Sequence, residues 1–197
     1  TASKVRFFDN KGKLTKSVGQ PGAGPGDFRQ LMWLGQCGTD SVFAWDYALR
    51  RMTVISGSAN VVRQYSVPAD PTQRLGAPTT VSCSRAGRFA MQPPMTPRPG
   101  TFVVVTPDST VIRGKSAIAL ADRGGNVTSS LGDVWFSEMF MTGQHGGPRG
   151  GGFRPLGRST SVALANDRIY VGTADSGFVD VYGPDGKLAS TIPLGLS

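Results

Sequence analysis

The sequence predicts an all-β chain and, more narrowly, a β-propeller of four-stranded antiparallel blades whose ring is incomplete within this chain. Three observations predict it. Two short β-prone runs around a turn of Gly, Pro, Asp or Asn recur along the chain, the local signature of a β-hairpin. Aligned on that turn, Gly12, Ala59, Gly125 and Gly186 lie 47, 66 and 61 residues apart, intervals that suit an array of β units. Composition agrees: among 197 residues there are 27 Gly and 14 Pro, and one Glu stands beside twelve Asp with no stripe of helix-forming residues.

Taken in order, residues 5–19 read as half a blade, a lone hairpin turning at Asp9-Asn10-Lys11-Gly12. The run from Gly19 to Phe28 is too rich in Gly and Pro to be anything but a shaped loop. Residues 28–68 supply four strands: Leu31-Met32-Trp33-Leu34, Val42-Phe43-Ala44-Trp45, and the hairpin from Met52 to Tyr65. A further blade is expected over 78–132. It contains Thr79–Ser82, Phe89–Met91, Thr101–Val105, Ser116–Leu120 and the hairpin at Gly124-Gly125, interrupted by the polyproline-II-like stretch Gln92–Gly100. Asp133–Met141 is strongly apolar and has no repeat equivalent. The last blade is expected over 153–195, ending in the hairpin around Gly183-Pro184-Asp185-Gly186. One domain of 1–197 accounts for the whole chain.

Bulk properties bound the function without choosing it. The formal net charge is +8 with a pI near 10, which favours acidic partners such as a negatively charged protein or an anionic membrane surface. No apolar run approaches the roughly 18 residues of a transmembrane helix. No signal peptide is visible at Thr1, so export would imply a chain already processed. Cys37 and Cys83 lie 46 residues apart, each five residues before a strand core, and so at matching places on neighbouring repeats. They read either as a disulfide or as two buried thiols. The disulfide is favoured, and with it an extracytoplasmic (periplasmic or secreted) location, peripheral to a membrane complex.

The pattern Gly22-Ala23-Gly24-Pro25-Gly26-Asp27-Phe28, followed by strand, turn, strand and Asp46…Arg50, resembles the NHL repeat, and the layout resembles the bacterial six-bladed propellers related to it. The resemblance covers residues 5–68 and 143–195, where Phe153 matches Phe28 after a second glycine-rich loop. It implies a ring of six blades, whereas three and a half are counted here. Open blade faces are apolar and need covering, by further blades, a second copy or another subunit.

Specific chemistry is mostly excluded. Gly114-Lys115-Ser116 lacks the first glycine of a phosphate loop. His145 is the only histidine and sits among glycines, so no nucleophile–base arrangement is expected, and no catalytic residue is assigned. No metal site and no cofactor are assigned. An enzymatic alternative remains, because propeller lactonases resemble this layout and hold calcium on the axis with oxygen ligands. Asp40, Asp46, Asp167, Asp175 and Asn166 are the side chains available for that. A second alternative is an RNA-binding propeller of NHL type, with Arg149, Arg154 and Arg158 beside Phe153. Nucleic acid ranks below protein because no set of stacking aromatics accompanies them. Asn126-Val127-Thr128 fits a glycosylation sequon and is read as unmodified. The leading expectation is a non-catalytic interaction module, an extrinsic accessory subunit of a larger assembly such as an electron-transfer or photosynthetic complex. Its contact residues would be Trp135, Phe136, Met139, Phe140, Met141, Arg149, Phe153 and Arg154, since aromatic, Met and Arg side chains dominate interface cores.

Overall fold

A computed structural model describes residues 3–67, 80–92, 102–105, 109–142 and 150–195. The stretch 93–100, which holds nearly all of the proline-rich insertion, lies outside them, as do His145 and Arg149. The described residues are strands and turns throughout. They form one two-stranded sheet and four four-stranded sheets, every sheet wholly antiparallel.

The N-terminal hairpin pairs β1 (Val5–Phe8) with β2 (Leu14–Val18). Blade I is β3 (Leu31–Gln36), β4 (Ser41–Asp46), β5 (Arg51–Ser56) and β6 (Val61–Ser66), in that order across the sheet. Blade II consists of β7 (Thr80–Cys83), β8 (Phe89–Gln92), β11 (Lys115–Ala121) and β12 (Val127–Trp135). Nested inside it in sequence, β9 (Phe102–Val105) and β10 (Ser109–Arg113) join β13 (Met139–Thr142) and β14 (Gly150–Phe153) in a separate side sheet. Blade III is β15 (Thr160–Ala165), β16 (Arg168–Thr173), β17 (Phe178–Tyr182) and β18 (Leu188–Pro193), again in chain order.

The recurring hairpin owes its regularity to one turn. Gly12, Ala59, Gly125 and Gly186 all take positive φ, between 58° and 84°. Each donates its backbone N–H to the residue three earlier, and each turn is followed by a register shift in the strand pair. That is a tight turn closed by a left-handed residue and a bulge, the geometry for which glycine is favoured. Ala59 holds the same conformation at the cost a Cβ imposes there.

Burial reveals the order of the blades. In blade I, Phe43 and Trp45 face one way, packing with Met52, Val54, Phe89 and Met91, while Ala44 and Ile55 face the other way against Val5, Val18 and Phe28. Blade II is likewise covered on both sides: Phe89 and Met91 meet blade I, and Ala90, Ile118 and Leu120 meet Ile169 and Val171 of blade III. Each fully buried Phe, Met, Ile, Leu or Val among these contributes about 1.5–3 kcal/mol. Blades I and II are also bolted together. The Phe43 and Phe89 ring centroids lie 5.3 Å apart, and Cys37 is disulfide-bonded to Cys83 with Cα atoms 5.7 Å apart. The innermost strands β3, β7 and β15 touch in succession, as inner strands of propeller blades do, and Leu164 N–H donates to Ser82 Oγ at 3.0 Å.

The resulting stack runs hairpin, blade I, blade II, blade III, and no ring closes among the described residues. Among the described residues, one face of blade III packs on a neighbouring blade. Val162, Leu164, Ile169 and Val171 pack on blade II. Pairing places Ala163 with Tyr170 on the opposite face, and Val179 with Ile192, of which Ala163 and Ile192 are exposed.

One expectation needs correction. Phe102–Val105 is not a strand of blade II but an edge of the side sheet, paired with β10. Asp133–Met141, read as lacking a repeat equivalent, is divided between β12 of blade II and β13 of the side sheet. Only Gly114 separates β10 from β11, and Lys115↔Trp135 in blade II is followed by Ile112↔Met139 in the side sheet. One long hairpin thus serves two sheets, changing sheet where Phe136 N–H bonds to Gly114 O at 2.8 Å.

Candidate functional site

The junction where that hairpin leaves blade II is the most chemically distinctive place among the described residues. Arg113 ends β10 and its side chain is only 3% exposed. Its Nε donates to Phe136 O at 3.0 Å and its Nη1 donates to Asp175 Oδ1, from the β16–β17 turn of blade III. The guanidinium also stacks over the Trp135 ring, 5.2 Å from its centroid, and Lys115 Nζ lies at the same distance from that ring. Nη2 of Arg113 is buried and has no hydrogen-bond partner. A charged donor left so is costly, which makes the site unusual.

Glu138, the only Glu of the chain, builds the opposite wall. Its N–H donates to Arg158 O and its own carbonyl accepts from Arg154 N–H, so it clamps the loop 154–158 by backbone alone. Its buried carboxylate then takes Arg154 Nη1 at 3.0 Å and stands 3.8 Å from Arg158 Nε. Arg158 Nη1 donates to Asp175 Oδ1 at 3.1 Å, the oxygen that Arg113 already uses. Hydrogen bonding to Arg113, then the charge of that group and the contact with Arg158, hold the Asp175 carboxyl below the usual carboxylate range against the opposing effect of burial. These side chains line a cleft of about 920 Å³, with Val111, Trp135, Pro155 and Leu156 as its apolar part. Leu156 is fully exposed and takes φ +56°, unusual for a side chain with a Cβ.

The expected contact residues divide accordingly. Trp135 and Arg154 line the cleft. Phe136 is 1% exposed, its ring 6.0 Å from that of Phe153, so it is a core residue and not a contact one. Met139 and Phe140 are half-buried, whereas Met141 and Phe153 are exposed at 38% and 52%. Arg149 lies outside the described residues. Residue type alone does not mark Arg113 and Glu138 as members of this site. An Arg at a strand end reads as solvated, and only the nested hairpin buries it.

The oxygen ligands considered for calcium are dispersed. Asp46 is fully buried and accepts from the N–H groups of Arg29, Gln30 and Leu49, shaping the loop before β3 and the turn after β4. Asn166 and Asp167 form the β15–β16 turn, both at positive φ, and Asp175 is committed to arginines. Among the described residues no group of three or more His, Cys, Asp or Glu side chains is arranged to hold a metal ion. The glycine-rich loop holds Phe28 at zero exposure, its ring pressed on Gly19 so closely that a Cβ there would come within 2.5 Å. Arg51, not its neighbour Arg50, anchors that loop through the carbonyls of Ala23 and Gly24 at 3.1 and 3.0 Å.

No family model matches the chain, and no curated protein matches it. Among solved structures it is similar to virginiamycin B lyase from Staphylococcus aureus, at 11% identity over all of this chain and 64% of that one, with a TM-score of 0.38. It is also similar to AztD of Citrobacter koseri (11% identity, 98% of this chain and 68% of that one, TM-score 0.31) and to a chain of a nidogen/laminin complex (11%, 83% and 80%, TM-score 0.27). The chain thus spans 64% of the lyase it resembles. At these scores the likenesses carry no conclusion about activity, and the fold rests on the blades themselves.

Proposed function

We propose that this chain is a non-catalytic propeller module that docks onto an acidic protein partner, as an extrinsic accessory subunit of an extracytoplasmic assembly. The observation that carries it is the uncovered side of blade III. Ala163, Tyr170, Val179 and Ile192 share that face around the buried Val181, with Ala163 and Ile192 exposed. A blade buries its faces against neighbours, so this one has an unmet demand for apolar contact. The net charge of +8 favours a partner with an acidic rim, and the Cys37–Cys83 bond suits an oxidising compartment. Kinship with NHL-type propellers is part of this reading, supported by the Gly22–Phe28 loop folding as a single anchored unit. The exposed Met141 and Phe153 of the side sheet form a second, smaller contact patch.

Light scattering coupled to size exclusion tests it. The isolated chain should run as an oligomer, and Tyr170→Lys with Ile192→Lys should return it to a monomer. A monomeric wild type at tens of micromolar would contradict the docking role.

A further inference from the structure

We propose that the cleft between the side sheet and blade III binds a monocarboxylate carried on an apolar body. The site stands independently of the docking face of blade III. Three arginines, Arg113, Arg154 and Arg158, line it against two carboxylates, Glu138 and Asp175, and Lys115 adds a further cation at the Trp135 ring, so positive charge is in excess. Two guanidinium groups converge on a single oxygen, Asp175 Oδ1. One donor of Arg113 is left unmet. Its Nε and Nη1 are used, while Nη2 is buried with no acceptor although the side chain is nine-tenths and more enclosed.

A planar carboxylate reaching Arg113 Nη2 and the Arg158 fork would supply the missing acceptors, in the paired geometry guanidinium favours. The other half of the lining explains the apolar body. Trp135, Val111, Pro155 and the fully exposed Leu156 present hydrocarbon beside the charges. Two sources share this chemistry, a free aromatic or aliphatic acid and the C-terminal residue of a peptide.

Calorimetry on the intact chain tests the site with phenylacetate, phenylacetamide, a tripeptide ending in free Phe, its C-terminal amide, and inorganic phosphate. Phenylacetate should bind in the millimolar range or tighter, and phenylacetamide at least tenfold more weakly. A peptide acid binding more tightly than phenylacetate identifies a chain terminus as the ligand; the reverse order identifies a free acid. Arg158→Gln alters an exposed side chain and should weaken phenylacetate about tenfold with the fold intact, as checked by unchanged circular dichroism. Arg113→Lys should weaken it further. Phenylacetamide binding as well as phenylacetate, phosphate binding more tightly than either acid, or no carboxylate binding at 10 mM would each overturn the proposal.

Discussion

Removing the bond between Cys37 and Cys83 is the sharpest perturbation of the blade stack. The bridge closes a segment of 46 residues, and in the chain-entropy treatment that restricts the unfolded chain by about 13 cal/mol/K, or about 4 kcal/mol at 25 °C. The native contacts around it should persist, because Phe43 and Phe89 meet beside it and Cys37 is buried in the cluster they share. A Cys37→Ala, Cys83→Ala double variant should therefore keep its strand content and lose stability. In guanidinium chloride the midpoint should fall by on the order of 1 M for a chain of this size. Reductant should lower the wild-type midpoint by a similar amount and leave the variant unmoved. A variant midpoint within 0.2 M of the wild type, or a variant as sensitive to reductant as the wild type, would refute the reasoning.

Other consequences follow from the turns and the ionisable groups. Gly12→Ala adds a Cβ at φ +77° with nothing within 4 Å, so it should cost about 1–2 kcal/mol of pure backbone strain in a denaturation experiment. Gly125→Ala carries the same strain and also drives its Cβ to 2.5 Å from the Tyr65 ring, so its loss should be clearly the larger of the two. Asp175 is held below the usual carboxylate range by its bond to Arg113, so its contribution is complete above about pH 4 and disappears as pH falls through the folded value. Urea midpoints between pH 6 and 2 should decline less steeply for Asp175→Asn than for the wild type. Burial, opposed by Arg63, pushes the Tyr65 phenol up to about 12, so its neutral form stabilises the fold until pH exceeds about 10 and that support is lost by about 12. Burial raises Tyr182 as well, so an absorbance titration should show late phenolates of which Tyr65→Phe removes the one near pH 12.

The hairpins were legible because turn chemistry is local: a positive-φ residue after Asp, Ser or Gly-Pro-Asp can be recognised from a few neighbours. Ala59 was found by alignment with three glycines, and it does take the left-handed conformation. The side sheet was not legible. Phe102–Val105 has the composition of any buried strand, and nothing in it reveals that its partner is Arg113's strand and not Phe89's. Pairing across a nested insertion is decided by tertiary geometry. The cleft shared that fate. Arg154 and Trp135 stood out by residue type, whereas Arg113 and Asp175 are 62 residues apart and meet only once blade III is stacked. Arg50 and Arg51 show the limit at its finest, since one step along the chain decides which reaches the glycine-rich loop.

The open flank of blade III is measured most directly by maleimide labelling of an added cysteine, with the native disulfide intact. Ala163→Cys lies on the outward face and Ala90→Cys between blades II and III. The account predicts that Ala163→Cys reacts quickly in dilute protein and is protected as concentration rises, while Ala90→Cys stays unreactive throughout. Protection of Ala163→Cys even at the lowest concentration would mean that the stack is already sealed, and would contradict it.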